Sequence, residues 1–262
     1  MNWSREELIL ALSVYFQLPF GKLHRGTPEI VELAKVIHRT ANSASMRLNN
    51  FAACDPAIAG TIGPKGTVRR GLEGGKSVCM PIWEEFSNNK EELFIQAAKI
   101  KAKLTNQKVE DSLPNYIVKN LSGLKGIVRE RMVNVRVNQN VFRNMILNNY
   151  ECKCAITGID IPSLLVASHI IPWAERAETR LDPENGICLS PLYDKAFDEG
   201  LISLTDNYEV LLSEDLKKKS SEEYYQSNFK AIDHKKIFLP FDHQPNKEYL
   251  EYHRDMIFSK HC

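Results

Sequence analysis

The sequence is short of several things, and each shortage narrows what the chain can be. No apolar run approaches the ~20 residues needed to cross a bilayer, so no membrane span is expected. None of its 6 cysteines forms a Cys-x-x-Cys pair, and Cys152-Lys153-Cys154 is too tight for a usual zinc knuckle. A structural zinc is therefore not expected, and the cysteines read as reduced, buried thiols of a cytoplasmic protein. Internal repeats and low-complexity tracts are missing, which argues against solenoids and disordered tails. The opening Met1-Asn2-Trp3-Ser4-Arg5-Glu6-Glu7 carries acids and leads into a periodic helix, unlike a secretion signal. Net charge is almost nil, at +1.

What is present is ordinary in bulk and lopsided in arrangement. The 262 residues, 43% hydrophobic and 26% charged, suit a folded chain of two modest domains or one large one. Residues 1–150 hold 21 Lys and Arg against 13 Asp and Glu, whereas residues 151–262 hold 13 against 20. A basic front half suits phosphate contact and an acidic back half suits a cation site, although charge asymmetry between domains is also common without consequence.

The front half reads as helices. Ser4 with Glu7 makes a capping-box spacing, followed by Leu8, Ala11, Leu12 and Tyr15 at helical intervals over 4–17. Pro19 and Gly21 end this segment. Thr27-Pro28 opens a second helix with Ile30, Leu33, Ala34 and Ile37 on its apolar face. A short turn leads to a third helix over 43–53. The pair resembles a helix-turn-helix whose second member exposes Ser43, Ser45, Arg47 and Asn49 or Asn50, and Arg and Asn read base edges in the major groove. Any two helices across a tight turn share that outline. Residues 55–76 form a glycine-rich basic loop with Lys65, Arg69, Arg70 and Lys76, suited to a phosphate backbone or to a solvated connector. Helices over 81–88 and 90–104 bring Trp83, Phe86, Leu93, Phe94 and Ala97 to the core. The expected boundaries are a helical, DNA-engaging domain over 1–104, a linker over 105–126 and a second domain over 127–262.

In the second domain, residues 129–137 alternate like a strand and 139–150 read as a helix. Arg131, Arg136 and Arg143 are candidate phosphate clamps, with exposed ion pairs as the plainer alternative. The chemistry concentrates between Ser168 and Gly200. His169 sits on an apolar strand, a loop with Arg180 follows, Asn185-Gly186 turns the chain, and Ile187-Cys188-Leu189 returns as a strand. A helix then places Asp194 and Asp198 one turn apart. A base on a strand facing carboxylates on a helix is one way to build a nuclease site around a single metal ion. Each residue also has a plainer reading: a packed core histidine, a hairpin turn, two surface acids.

His169, Asn185 and Asp194, followed by Ala196-Phe197-Asp198-Glu199-Gly200-Leu201-Ile202-Ser203, resemble the HNH endonuclease family, in particular a bacterial restriction-type subgroup with a Phe-Asp-x-Gly tail. The likeness extends upstream through Arg136-Val137-Asn138-Gln139, Phe142-Arg143 and Cys154-Ala155-Ile156-Thr157-Gly158. Downstream it takes in Leu250, His253-Arg254 and Phe258, so that it covers roughly residues 125–260. The resemblance implies an α+β chain: an N-terminal all-helical domain and a C-terminal HNH (ββα-metal) nuclease domain. It implies a metal-dependent DNA endonuclease of restriction or defence type acting on double-stranded DNA with one Mg2+ or Mn2+. His169 would be the general base. Asn185 would hold the loop or the imidazole. Asp194, with His169 or Asp198, would ligate the cation, and Arg180 would clamp a phosphate. Modified DNA and a homodimer are compatible with it. His253 reads as a packed structural histidine rather than a ligand. Two departures stand out: Ser168 occupies a position where many members carry a metal-binding Asp, and Asp194 stands in for the last histidine. The competing readings are an inactive HNH-fold DNA-binding protein and a signal-gated nuclease whose N-terminal domain binds something other than DNA.

Overall fold

A computed structural model describes residues 2–63, 66–114, 118–119 and 121–261. Contacts divide the chain into two compact units, Met1–Val141 and Phe142–Cys262.

The first unit is built from helices whose starts are written locally. Helix α1 (Arg5–Gln17) opens on a reciprocal cap: Glu7 N–H donates to Ser4 Oγ at 3.2 Å, and Ser4 N–H donates to the Glu7 carboxylate at 2.7 Å. Helix α2 (Pro28–Val36) has proline at its first position, where the missing N–H costs nothing. Helix α3 (Ala41–Cys54) is capped by the Thr40 hydroxyl, which accepts from Ser43 N–H. Helix α4 (Lys76–Phe86) begins before the expected start and carries Pro81 in its interior; α5 (Lys90–Leu104) follows. Helix α3 packs against α1, α2 and α4, and α1 against α5. Leu12, Ile30, Leu48, Phe51, Phe86 and Leu93 are fully buried at the centre.

That central place overturns the reading of α3 as an exposed recognition helix. Ser45 Oγ donates to the Leu23 carbonyl at 2.7 Å, Asn49 Nδ2 to the same carbonyl at 2.9 Å, and Asn50 Nδ2 to the Leu72 carbonyl at 2.5 Å. Arg47 lies 4.9 Å from the Trp3 ring centroid and donates to the Gly75 carbonyl at 3.4 Å. These polar side chains satisfy loop carbonyls wrapped around the helix, a demand that sequence period alone does not reveal. The loop is likewise turned inward in part. Arg69, expected on a phosphate backbone, is only 7% exposed and sits over the Phe20 ring at 5.3 Å. Arg70 is exposed, and Lys65 lies outside the described residues.

Residues 129–137 are not a strand. Helix α6 runs from Gly126 to Asn149 without interruption. Val133, Val137 and Val141 are buried at every fourth position while Val135 is exposed, so the alternation of β-branched residues hid a helical stripe. Within the stretch expected to be a linker, Glu110 pairs with Arg129 at 2.6 Å. The turns of α6 from Phe142 onward belong to the second unit.

The second unit is organised by two small hairpins. Strands β1 (Val166–His169) and β2 (Gly186–Leu189) pair antiparallel, with His169 opposite Gly186. A Cβ at Gly186 would collide with Ile146 and Phe142, so the bare backbone lets the end of α6 press onto the hairpin. Helix α7 (Pro191–Asp198) packs on β1. Gly200 then takes φ +70°, where a Cβ would lie 2.7 Å from the Ile257 carbonyl oxygen; glycine ends α7 and turns the chain into β3 (Ile202–Leu204). Strand β3 pairs antiparallel with β4 (Val210–Leu212). Short helices α8 (Glu214–Lys217) and α9 (Glu223–Asn228) lead to α10 (Lys247–Met256), which packs on β3. Cys54, Cys79, Cys154 and Cys188 are buried free thiols and Cys152 is half-buried. The Cys154 sulfur accepts from Thr157 N–H at 3.4 Å and Ser190 N–H at 3.2 Å. Among the described residues, no helix is long and apolar enough to cross a membrane.

Candidate active site

A cavity of about 370 Å³ opens between β1, the loop after it and α7; Ser168, His169, Trp173, Asp194, Asp198 and His253 are among its lining residues. His169 ends β1. Its ring stacks on Phe142 with centroids 3.6 Å apart and planes at 16°, and meets Trp173 edge-on at 5.5 Å. Nε2 lies 3.2 Å from the Arg180 carbonyl. A carbonyl only accepts, so Nε2 carries the hydrogen and donates, which leaves the lone pair on Nδ1. No described residue hydrogen-bonds that Nδ1. Burial pushes the imidazole pKa down to about 4, more than the Arg180 carbonyl raises it, and the ring is neutral at pH 7.

The loop that presents His169 is tied by Asn185. This residue is fully buried. Its Oδ1 accepts from Ile171 N–H at 2.8 Å, and its Nδ2 donates to the Ile171 and Thr179 carbonyls, each at 3.1 Å. The side chain therefore holds the loop and makes no bond to the imidazole. Arg180 Nε donates to the Trp173 carbonyl at 2.9 Å, and its guanidinium covers the Trp173 ring at 5.4 Å. Arg143, expected to clamp phosphate, instead donates to the Leu165 carbonyl at 2.5 Å and the Pro162 carbonyl at 2.8 Å, fixing the segment that enters β1. Arg136 donates to Gln139 at 2.6 Å.

Across the cavity stand the acids. Asp194 and Asp198 are one helical turn apart on α7, so they share a face. Burial raises the Asp194 pKa. Burial, then the neighbouring charge of Asp194, pushes Asp198 up to about 6. Ser168 is 2% exposed, and its hydroxyl makes no hydrogen bond of full geometry, yet it lies near enough to Asp194 to counter part of that rise. Among the described residues, no three His, Cys, Asp or Glu side chains gather in one metal-holding group. His169, Asp194 and Asp198, expected to supply the cation's ligands as Asp194 with His169 or Asp198, line the same cavity. Two crowded carboxylates beside the Ser168 hydroxyl fit a hard divalent cation, which such oxygens would hold and whose charge would relieve the crowding.

The crowding has a measurable sign. A carboxyl whose folded pKa is raised destabilises the fold fully above that pKa, and the cost vanishes below the unfolded value near ~4. Asp198→Asn is expected to stabilise the metal-free protein at pH 7.5, the gain shrinking through pH 6 and disappearing by about pH 4. Asp198 counts as exposed by surface area although its surroundings desolvate the carboxyl; solvent screening therefore cuts the gain to roughly 1 kcal/mol. Urea unfolding at several pH values in chelator measures it.

Sequence reasoning did not single out Trp173, which flanks the His169 ring, and it assigned His253 to packing alone. The first carried no signal beyond its place after the Ile171-Pro172 turn. A comparison with curated proteins gives no match. Residues 154–205 match the model of the HNH endonuclease family, and the hairpin, the loop and the carboxylate helix that line the cavity fall within that span.

Proposed function

We propose that the chain is a DNA endonuclease of restriction or defence type that hydrolyses phosphodiester bonds with His169 as general base and one divalent cation, Mg2+ or Mn2+, held by Asp194 and Asp198. The observation that supports this best is the neutral imidazole: its Nε2–H is anchored on the Arg180 carbonyl, and it shares one cavity with two crowded carboxylates. Nδ1 takes the proton of a water as the water oxygen attacks phosphorus, and the imidazolium charge is met by the Arg180 carbonyl dipole. Phe142 and Trp173 keep the ring from turning while it works. Asn185 keeps the loop closed so that the Arg180 carbonyl stays in place. The cation, when bound, supplies Lewis-acid neutralisation of the phosphate and leaving oxygen. The leaving sugar oxygen collects a proton from solvent. Arg180 is a candidate contact for a neighbouring phosphate. The test is nicking of supercoiled plasmid, modified and unmodified, by the full chain with Mg2+ or Mn2+; a chain that never nicks overturns the reading.

The inward use of α3 favours a second reading for the helical unit. With Ser45, Asn49 and Asn50 bonded to loop carbonyls, base-reading is left to few side chains, and the unit suits a signal-gated role in which it binds something other than DNA. Charge reversal at Arg70 distinguishes the two. If this unit grips the backbone, DNA affinity falls and its logarithmic salt slope drops by about 1. An unchanged slope favours the signal-binding role.

A further inference from the structure

The family match stops before α10, yet α10 holds the site together. Asn246 N–H donates to the Glu184 carbonyl at 3.0 Å, and Tyr249 Oη donates to Asp182 at 2.9 Å, so the start of α10 is bonded to the loop that leads into β2. Further along, Arg254 donates to the Leu204 carbonyl at 2.8 Å, joining β3. Between these lies His253, 1% exposed and stacked on the Phe197 ring at 3.7 Å with planes at 14°. Its Nε2 lies 3.0 Å from the Phe197 carbonyl, and its Nδ1 lies 2.9 Å from Ser203 Oγ. The carbonyl fixes the tautomer. Nε2–H donates to the last turn of α7, and Nδ1 accepts the hydroxyl of Ser203, itself fully buried on β3. Both ring nitrogens are thus committed, and the ring cannot ligate an ion without giving up a buried bond.

We infer that His253 is a positioning residue for the carboxylate helix: by bonding the end of α7 to β3 it sets where Asp194 and Asp198 stand in the cavity, and so how tightly the pair holds a divalent cation. The inference rests on the cation-binding role proposed above. Phe197 is the residue next to Asp198, and its carbonyl closes the same helical turn. A loosened end of α7 lets the two carboxylates drift independently, and a cation held by two oxygens groups is sensitive to their separation. His253 needs no contact with the ion to act in this way.

The experiment titrates Mn2+ into the full, metal-free chain and follows binding directly by electron paramagnetic resonance, with plasmid nicking measured separately. His253→Phe combined with Ser203→Ala keeps the stacked ring and removes both polar partners together, so no buried hydroxyl is orphaned. Ile232→Val, a buried change outside the cavity lining, serves as the control for general loosening. The expected result is about tenfold weaker Mn2+ binding in the double variant, wild-type binding in Ile232→Val, and recovery in His253→Gln, whose amide reaches the Phe197 carbonyl. Unchanged Mn2+ affinity in the double variant overturns the inference, as does an equal loss in the control or no Mn2+ binding by the wild type. Should the double variant not fold, His253→Asn, whose shorter amide misses that carbonyl, takes its place under the same outcomes. Wild-type chain that binds Mn2+ and never nicks sinks the nuclease reading and leaves the positioning role to be judged on affinity alone.

Discussion

His169→Ala is expected to lower plasmid nicking by ~10²–10⁴-fold at neutral pH, the usual worth of a placed general base. The loss should be one of rate at saturating metal, because the cation is proposed to rest on Asp194 and Asp198 while the imidazole acts on the attacking water. Mn2+ affinity should therefore change little. Removing the ring also leaves a gap beside Phe142 and Trp173, and that gap supplies a control: imidazole added to His169→Ala should restore part of the rate. His169→Gln fills the gap without offering a comparable base and should stay inactive with imidazole present. Single-turnover nicking with and without added imidazole measures both. A fully active His169→Ala would mean that some other group takes the proton.

The second large effect concerns stability. Asn185→Ala removes three buried hydrogen bonds at once and strands Ile171 N–H and the Ile171 carbonyl, while the Thr179 carbonyl keeps the Asp182 N–H. Each orphaned group costs about 1–3 kcal/mol, and partial relaxation of the loop brings the expected total to roughly 3–5 kcal/mol. Asn185→Asp keeps the acceptor for Ile171 N–H but sets a carboxylate oxygen against two carbonyls, so it should fare no better at neutral pH. Urea unfolding followed by far-ultraviolet circular dichroism measures the loss. A loss below about 1 kcal/mol would show that the loop closes without the amide. Activity should fall in step with the Arg180 carbonyl losing its place under His169.

Much of the site was legible because its signals are short-range. An apolar strand ending in histidine and a helix with acids one turn apart each define their own local structure. The capping box of α1 was legible for the same reason. Asn185-Gly186, by contrast, makes no hairpin turn: Gly186 is already extended in β2 opposite His169, and residues 170–185 form the connection. The residues misread were those whose partners lie far along the chain. Arg143 reads as a clamp until the Pro162 and Leu165 carbonyls are seen beside it. Asn50 reads as a base-reader until the Leu72 carbonyl is found 2.5 Å away. His253 bonds to residues 50 and 56 positions earlier, a separation at which no period or spacing rule operates. Residues 129–137 failed for a different reason: valine-rich alternation fits a strand, and only burial at every fourth position distinguishes the helix.

One sulfur atom, that of Cys154, ties the start of the helix that bears the acids. The Cys154 sulfur receives the amide of Ser190, the residue that opens α7, together with that of Thr157. A large, diffuse acceptor on a long C–S bond receives both amides at 3.2 and 3.4 Å. The helix bearing the acids is thus moored at its front by sulfur as it is at its rear by imidazole.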